Sequence, residues 1–195
     1  MCSAFLSCLT GRGKRQIFIL YALELDTFQR VTREDYPTYS LVLGMANFLH
    51  TLNLPYLHDA SETFQCDSIQ EFSSKVERAV KESRAVIVIC SEVLYTAFSG
   101  NSNSNKLVQM KFGKFSLSRV KKVVMKSSRK FVPVTLTGSV SVCKELRENR
   151  CFNLQNYEEF MLSVKKSSSI GEALSDPAFS EIRDLYFTLQ DMLDH

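Results

Sequence analysis

Apolar residues along the chain fall into two kinds of run: short continuous blocks, and longer stretches in which they recur every three or four positions. The first kind predicts buried strands and the second predicts amphipathic helices. Gln16-Ile17-Phe18-Ile19-Leu20-Tyr21-Ala22 is a strand-length block, followed by a polar, acidic stretch with Pro37 that reads as a loop. Leu41, Met45, Phe48, Leu49 and Leu52 then give one helical stripe over Tyr39–Leu52, and Pro55–His58 a short second strand. Ser68 and Glu71 form a capping-box pattern, in which each side chain would satisfy one free N–H of a starting helix. Ile69, Phe72, Val76, Ala79 and Val80 are its predicted buried face. Ala85-Val86-Ile87-Val88-Ile89-Cys90 is apolar throughout, as a strand in the middle of a parallel sheet covered on both faces would be.

The second half is less regular. Ser99–Asn105 is a turn-forming, low-complexity loop, and Leu107, Val108, Met110, Phe112 and Phe115 are read as another helix. Phe131–Leu136 is a fourth strand, with Pro133 predicting an edge or bulged position because it lacks a ladder N–H. Cys151–Leu154 is a short fifth strand, followed by a helix over Tyr157–Val164. The last helix aligns Ile182, Leu185, Tyr186, Leu189, Met192 and Leu193. Strand and helix thus alternate about five times, which predicts an α/β domain with a parallel sheet of about five strands flanked by helices. Residues 1–15 read as a flexible lead and 16–195 as the domain.

Composition narrows the classes. The 45% hydrophobic content is ordinary for a globular domain, and no run reaches the roughly 18 apolar residues needed to span a bilayer. Ala4–Leu9 is followed, not preceded, by Arg12, Lys14 and Arg15, the wrong order for a secretory signal. The six cysteines show no C-x-x-C pair, so reduced thiols in the cytoplasm are expected, with lipidation of Cys2 or Cys8 left open.

Enzymatic signatures are sparse. No glycine-rich phosphate loop follows the first strand, and no metal spacing links His50, His58 or His195 to cysteines, so no cofactor and no metal are expected. Glu24, Asp26 and Asp59 would suit a receiver-type acidic pocket, but the third strand ends in Cys90-Ser91-Glu92 without a further aspartate.

Charge is the unusual feature. Between Val93 and Lys144 there is no Asp or Glu, yet ten of the chain's 24 basic residues lie there: Lys106, Lys111, Lys114, Arg119, Lys121, Lys122, Lys126, Arg129, Lys130 and Lys144. The other 14 bases face all 21 acids, a net of −7 hidden behind a total of +3. The segment reads as a solvated face, as a site for nucleic acid or anionic membrane, or as a docking surface for an acidic protein patch. No nucleic-acid motif accompanies it, and complementary charge steers protein association, so docking is expected.

Several of these stretches, in order, resemble Toll/interleukin-1 receptor (TIR) domains and their SEFIR relatives, found in interleukin-17 receptors and the adaptor they recruit. The stretches are Ile17–Ala22 with acids after it, Val42–Asp59, Glu82–Ser91, Phe131–Val134 and Ile182–Gln190, covering about residues 15–193. Asp59–Asp67 has neither proline nor glycine, unlike the loop usual in TIR domains, so the chain looks more like a SEFIR domain. The resemblance implies a flavodoxin-like, TIR-type fold and a cytoplasmic adaptor or receptor-tail module in interleukin-17-type innate immune signalling. Its implied partners are SEFIR or TIR-type domains, with self-association possible. The interface expected from helical phase and charge comprises Gln70, Lys75, Glu77, Arg78, Lys81, Lys111, Lys114, Arg119, Lys121 and Lys122.

Enzymatic TIR domains place an NAD-cleaving glutamate on the helix after the central strand. Lys106–Lys111, read as that helix, holds no carboxylate, so the chain is expected not to be an enzyme. A TIR-type NAD glycohydrolase using Glu92 is the alternative, and a flavodoxin-like small-molecule binder a third. The starting methionine leans towards a complete protein, with a receptor fragment left open.

Overall fold

The computed structural model describes residues 15–99, 107–135, 146–167 and 169–195. The lead with Cys2 and Cys8, most of the Ser99–Asn105 loop, and Lys106, Leu136, Cys143, Lys144 and Ser168 lie outside them.

Strands β1 (Ile17–Leu20), β2 (Tyr56–Leu57), β3 (Ala85–Ile89), β6 (Phe131–Thr135) and β7 (Phe152–Asn153) form one parallel sheet in the order β2-β1-β3-β6-β7. The α/β class, the parallel pairing and the central place of the Ala85–Ile89 block are as predicted; β1, β3 and β6 are buried along their whole length. Right-handed crossovers put helix α1 (Tyr36–Thr51) on one face and α2 (Ile69–Glu82) and α4 (Leu117–Lys126) on the other. On the α1 side, Phe48, Tyr157, Phe160 and Phe179 form a chain of edge-to-face rings that joins α1 to α5 (Tyr157–Lys166). Beyond it lie α6 (Ile170–Ser175) and α7 (Ser180–Asp194), which buries Ile182, Leu185, Leu189 and Leu193.

Several expectations are corrected. Pro37 does not sit in a loop; it occupies the first turn of α1, where a missing N–H leaves no bond unmade. Pro133 is not on an edge strand, because β7 lies outside β6. The Val134 carbonyl accepts from the Cys90 N–H on the β3 side, so the Pro133 nitrogen points the other way, beside the start of the two-residue β7.

Residues 107–116 are not helical. They form a hairpin of β4 (Leu107–Met110) and β5 (Gly113–Ser116) with Lys111 and Phe112 at its turn. The helix that follows the central strand is α3 (Glu92–Ser99), started by Ser91, whose Oγ accepts from the Leu94 N–H at 3.2 Å and donates to the Ala22 carbonyl. In α2, Ser68 Oγ accepts from the Glu71 N–H as predicted, but the Glu71 carboxylate reaches one residue further back, to the Asp67 N–H. Ile69 is exposed, and the buried Ser73 takes a place on that face, accepting from the Ser116 N–H at 2.7 Å.

Candidate functional site

Helices α2 and α4, 48 residues apart from start to start, lie side by side, and β5 runs against α2. Gly113 makes that approach possible: a Cβ there would come within 2.6 Å of the buried Phe72 ring. Leu117, Val120 and Val124 bury one stripe of α4, which turns Arg119, Lys122 and Lys126 towards the exposed edge of α2. Glu77 sits in that seam. Its Oε1 is 2.6 Å from Lys81 Nζ and its Oε2 is 3.4 Å from Arg119, and the nearby Lys81 ammonium holds its carboxyl below the usual range. Lys81, Arg119, Lys122, Lys126, Val123 and Glu77 line a shallow groove of about 320 Å³.

The predicted interface residues therefore separate into two groups. Glu77, Lys81, Arg119 and Lys122 are brought together, with Gln70 and Arg78 exposed on the same helix. Lys75 bonds to Glu71 and the Gln65 carbonyl instead. Lys111 and Lys121 bond within the chain: Lys111 Nζ donates to the Gln29 carbonyl, and Lys121 Nζ to the Phe98 carbonyl at the end of α3. Lys130, from the same acid-free segment, donates to the Val80, Lys81 and Ser83 carbonyls and so closes the C-terminus of α2. Burial lowers its pKa. Lys114 is exposed on the hairpin. Lys126, one of the ten bases of the acid-free segment, joins the first group through its i+4 spacing from Lys122.

The hairpin turn is latched to the sheet from below. Tyr21 OH donates to Asp59 Oδ1 at 2.7 Å and accepts from the Lys111 N–H, while Asp59 Oδ2 accepts from the Phe112 N–H at 3.1 Å. Burial raises the pKa of both Asp59 and Tyr21, and lowers that of His58. Asp59, an open choice between loop charge and acidic pocket in the sequence, is thus a structural acceptor.

A larger crevice, about 1040 Å³, opens beyond the carboxyl ends of β1 and β3, where strand order reverses. Glu24, Glu34, Asp35 and Glu92 line it, with Lys114 the only base among the described lining. Asp35 is buried, accepts from the Glu24 N–H, and has its pKa raised by that burial. Glu92 is exposed at the start of α3. The carboxylate-free helix expected after the central strand is therefore replaced by one that begins with a glutamate.

A structural likeness stands beside this geometry. The chain is similar to a crystal structure of a prokaryotic SEFIR domain, at 16% identity and a TM-score of 0.48, over 77% of this chain and 96% of that one. No family model matches the chain, and neither does any curated protein.

Among the described residues, no group of three His, Cys, Asp or Glu side chains could hold a metal ion, and no helix is long and apolar enough to cross a membrane. Cys66 and Cys151 are free thiols. Cys151 is lowered to about 7, chiefly through its hydrogen bond with Cys90.

Proposed function

We propose that this chain is a cytoplasmic signalling module that binds SEFIR or TIR-type domains of receptors or adaptors, and that it does so without catalysis. The observation that carries the reading is the union of α2 and α4. Two charged segments singled out separately for docking lie side by side, with exposed Met125 on α4 next to them. Exposed cations beside apolar side chains suit a steered protein contact, in which charge sets the encounter and apolar area holds it.

The test measures association of the full chain with a panel of purified SEFIR and TIR-type domains at increasing salt. Capture of at least one, with association slowing as salt rises, supports the reading; a panel that never binds at low salt overturns it.

The crevice gives the second reading, a TIR-type NAD glycohydrolase with Glu92 as its catalytic residue. Three exposed carboxylates at its mouth oppose a pyrophosphate, and this favours the binding role. Incubation with NAD decides it. Nicotinamide released by the chain but not by Glu92→Ala would replace the binding module with an enzyme.

A further inference from the structure

The groove between α2 and α4 carries more than general basicity. Four cations, Lys81, Arg119, Lys122 and Lys126, surround a single carboxylate, Glu77. Lys122 and Lys126 make no ion pair among the described residues. Arg119, Lys122 and Lys126 fall at i, i+3 and i+7 on α4, a stripe about 10 Å long at the helical rise. Glu77 shows what the groove accepts: a side-chain carboxylate clasped between an ammonium and a guanidinium. One phosphate group would neutralise only one end of such a stripe, whereas a peptide with successive carboxylates can follow its length.

We propose that this groove is the seat of a carboxylate-rich segment of a partner protein, and that Glu77 occupies part of it in the free chain. The incoming segment pairs with Lys122 and Lys126 first, and its carboxylates then compete with Glu77 for Lys81 and Arg119. Glu77 thus sets a threshold: weakly acidic segments do not displace it, and a dense run of Asp or Glu does. The proposal deepens the binding reading above by naming the partner's chemistry, and it rests on that reading for its biological meaning.

The experiment uses the full chain and fluorescein-labelled octaglutamate, followed by anisotropy at low salt. Lys122→Glu/Lys126→Glu should weaken binding about tenfold or more, since it turns two attractive contacts into repulsions. Lys165→Glu/Lys166→Glu on α5, on the opposite side of the sheet, should leave it unaltered. Glu77→Gln should tighten binding several-fold.

Equal losses from the α4 and α5 pairs would overturn the site. So would a Glu77→Gln chain that binds no tighter while melting at a lower temperature, because Glu77 would then be only a clasp between the helices. Inositol hexakisphosphate or phosphatidylserine vesicles that bind more tightly, with the same sensitivity to Lys122 and Lys126, would reassign the groove to phosphate or membrane. A chain that captures SEFIR or TIR-type domains but ignores octaglutamate keeps the binding function and loses this site. One that binds octaglutamate but no such domain keeps the site and loses that function.

Discussion

Helix α2 and the β4–β5 hairpin lie against each other, yet they are held in different ways. Helix α2 is largely self-supporting. Ser68 caps it, Glu71–Lys75 and Glu77–Lys81 pair across single turns, and Phe72, Val76, Ala79 and Val80 bury one face. The hairpin has four residues per strand, and its shape comes from elsewhere in the chain. Tyr21 and Asp59 hold its turn, the Leu23 N–H donates to the Gln109 carbonyl, and Ser73 accepts from its last residue. A two-stranded ribbon of that length is not stable in water by itself. The contrast separates structure written locally from structure written by distant partners, and each can be broken separately.

The largest effect should come from the residue that both regions share. Phe72 is fully buried, meets Phe64 edge-to-face at 5.7 Å, and forms the floor on which Gly113 rests. Phe72→Ala should destabilise the fold by about 3–5 kcal/mol, read by urea denaturation. A loss near 1 kcal/mol would mean that α2 and the hairpin are not a common unit.

The latch comes next. Tyr21→Phe deprives the Lys111 N–H and Asp59 of a partner in a buried setting and should destabilise by about 1–3 kcal/mol. Hydrogen exchange should quicken over 107–116 more than over α2; uniform quickening would refute a local latch. Asp59 adds a pH signature. Its carboxyl is raised by burial, so the folded state holds the proton more tightly than the unfolded chain does. The stability this lends is complete below the unfolded pKa of about 4 and is lost as pH climbs through the raised folded value. The stability advantage of the unmutated chain over Asp59→Asn should therefore shrink from acid towards neutral pH. An advantage that grows with pH would show instead that the Tyr21 and Phe112 donors stabilise the ionised carboxylate.

The same contrast explains what the sequence made legible. The sheet and α2 could be read because β-branched blocks, a capping serine and a periodic stripe are local signals. The hairpin could not. Its turn residues, Lys111 and Phe112, have no positive φ, so the Asn-Gly or Asp-Gly pair that normally announces a two-residue turn is missing. Buried Val108, Met110 and Phe115 were open to a helical reading because the strands are too short for period-two alternation to stand out. Helix α3 did carry a signal, Ser91 followed by Glu92, but the end of the strand block obscured it. At the groove, helical phase and charge singled out Lys81, Arg119 and Lys122. They could not separate these from Lys111 and Lys121, whose carbonyl partners lie on elements remote in sequence.

A smaller effect tests the self-supporting region. Ser68→Ala removes the acceptor of the Glu71 N–H and should lower stability by about 1 kcal/mol, while Ser68→Asp should restore most of it. Thermal melts of the three chains suffice. An alanine variant as stable as its parent would mean that the Glu71–Asp67 and Glu71–Lys75 bonds hold the helix start without the serine.

The smallest expected change in stability has the largest bearing on function. Lys114, Arg119, Lys122 and Lys126 are exposed, whereas Lys111, Lys121 and Lys130 are tied to backbone carbonyls within the same acid-free stretch. Reversing the exposed lysines Lys114, Lys122 and Lys126 to Glu should shift stability by no more than about 0.5 kcal/mol, because solvated charges contribute little. Partner association should nevertheless slow, and the slowing should fade as salt shortens the range of the field below about 8 Å. Reversing Lys111, Lys121 and Lys130 should do the opposite: each change removes a donor from a carbonyl that closes a loop or helix end, so the fold loosens whatever the salt. If the two triple variants lose stability equally, the division between pinned and presented bases fails. If the exposed triple binds partners at unchanged rates in low salt, α4 is a solvated face, and the contact must be made by Gln70 and Arg78 on α2.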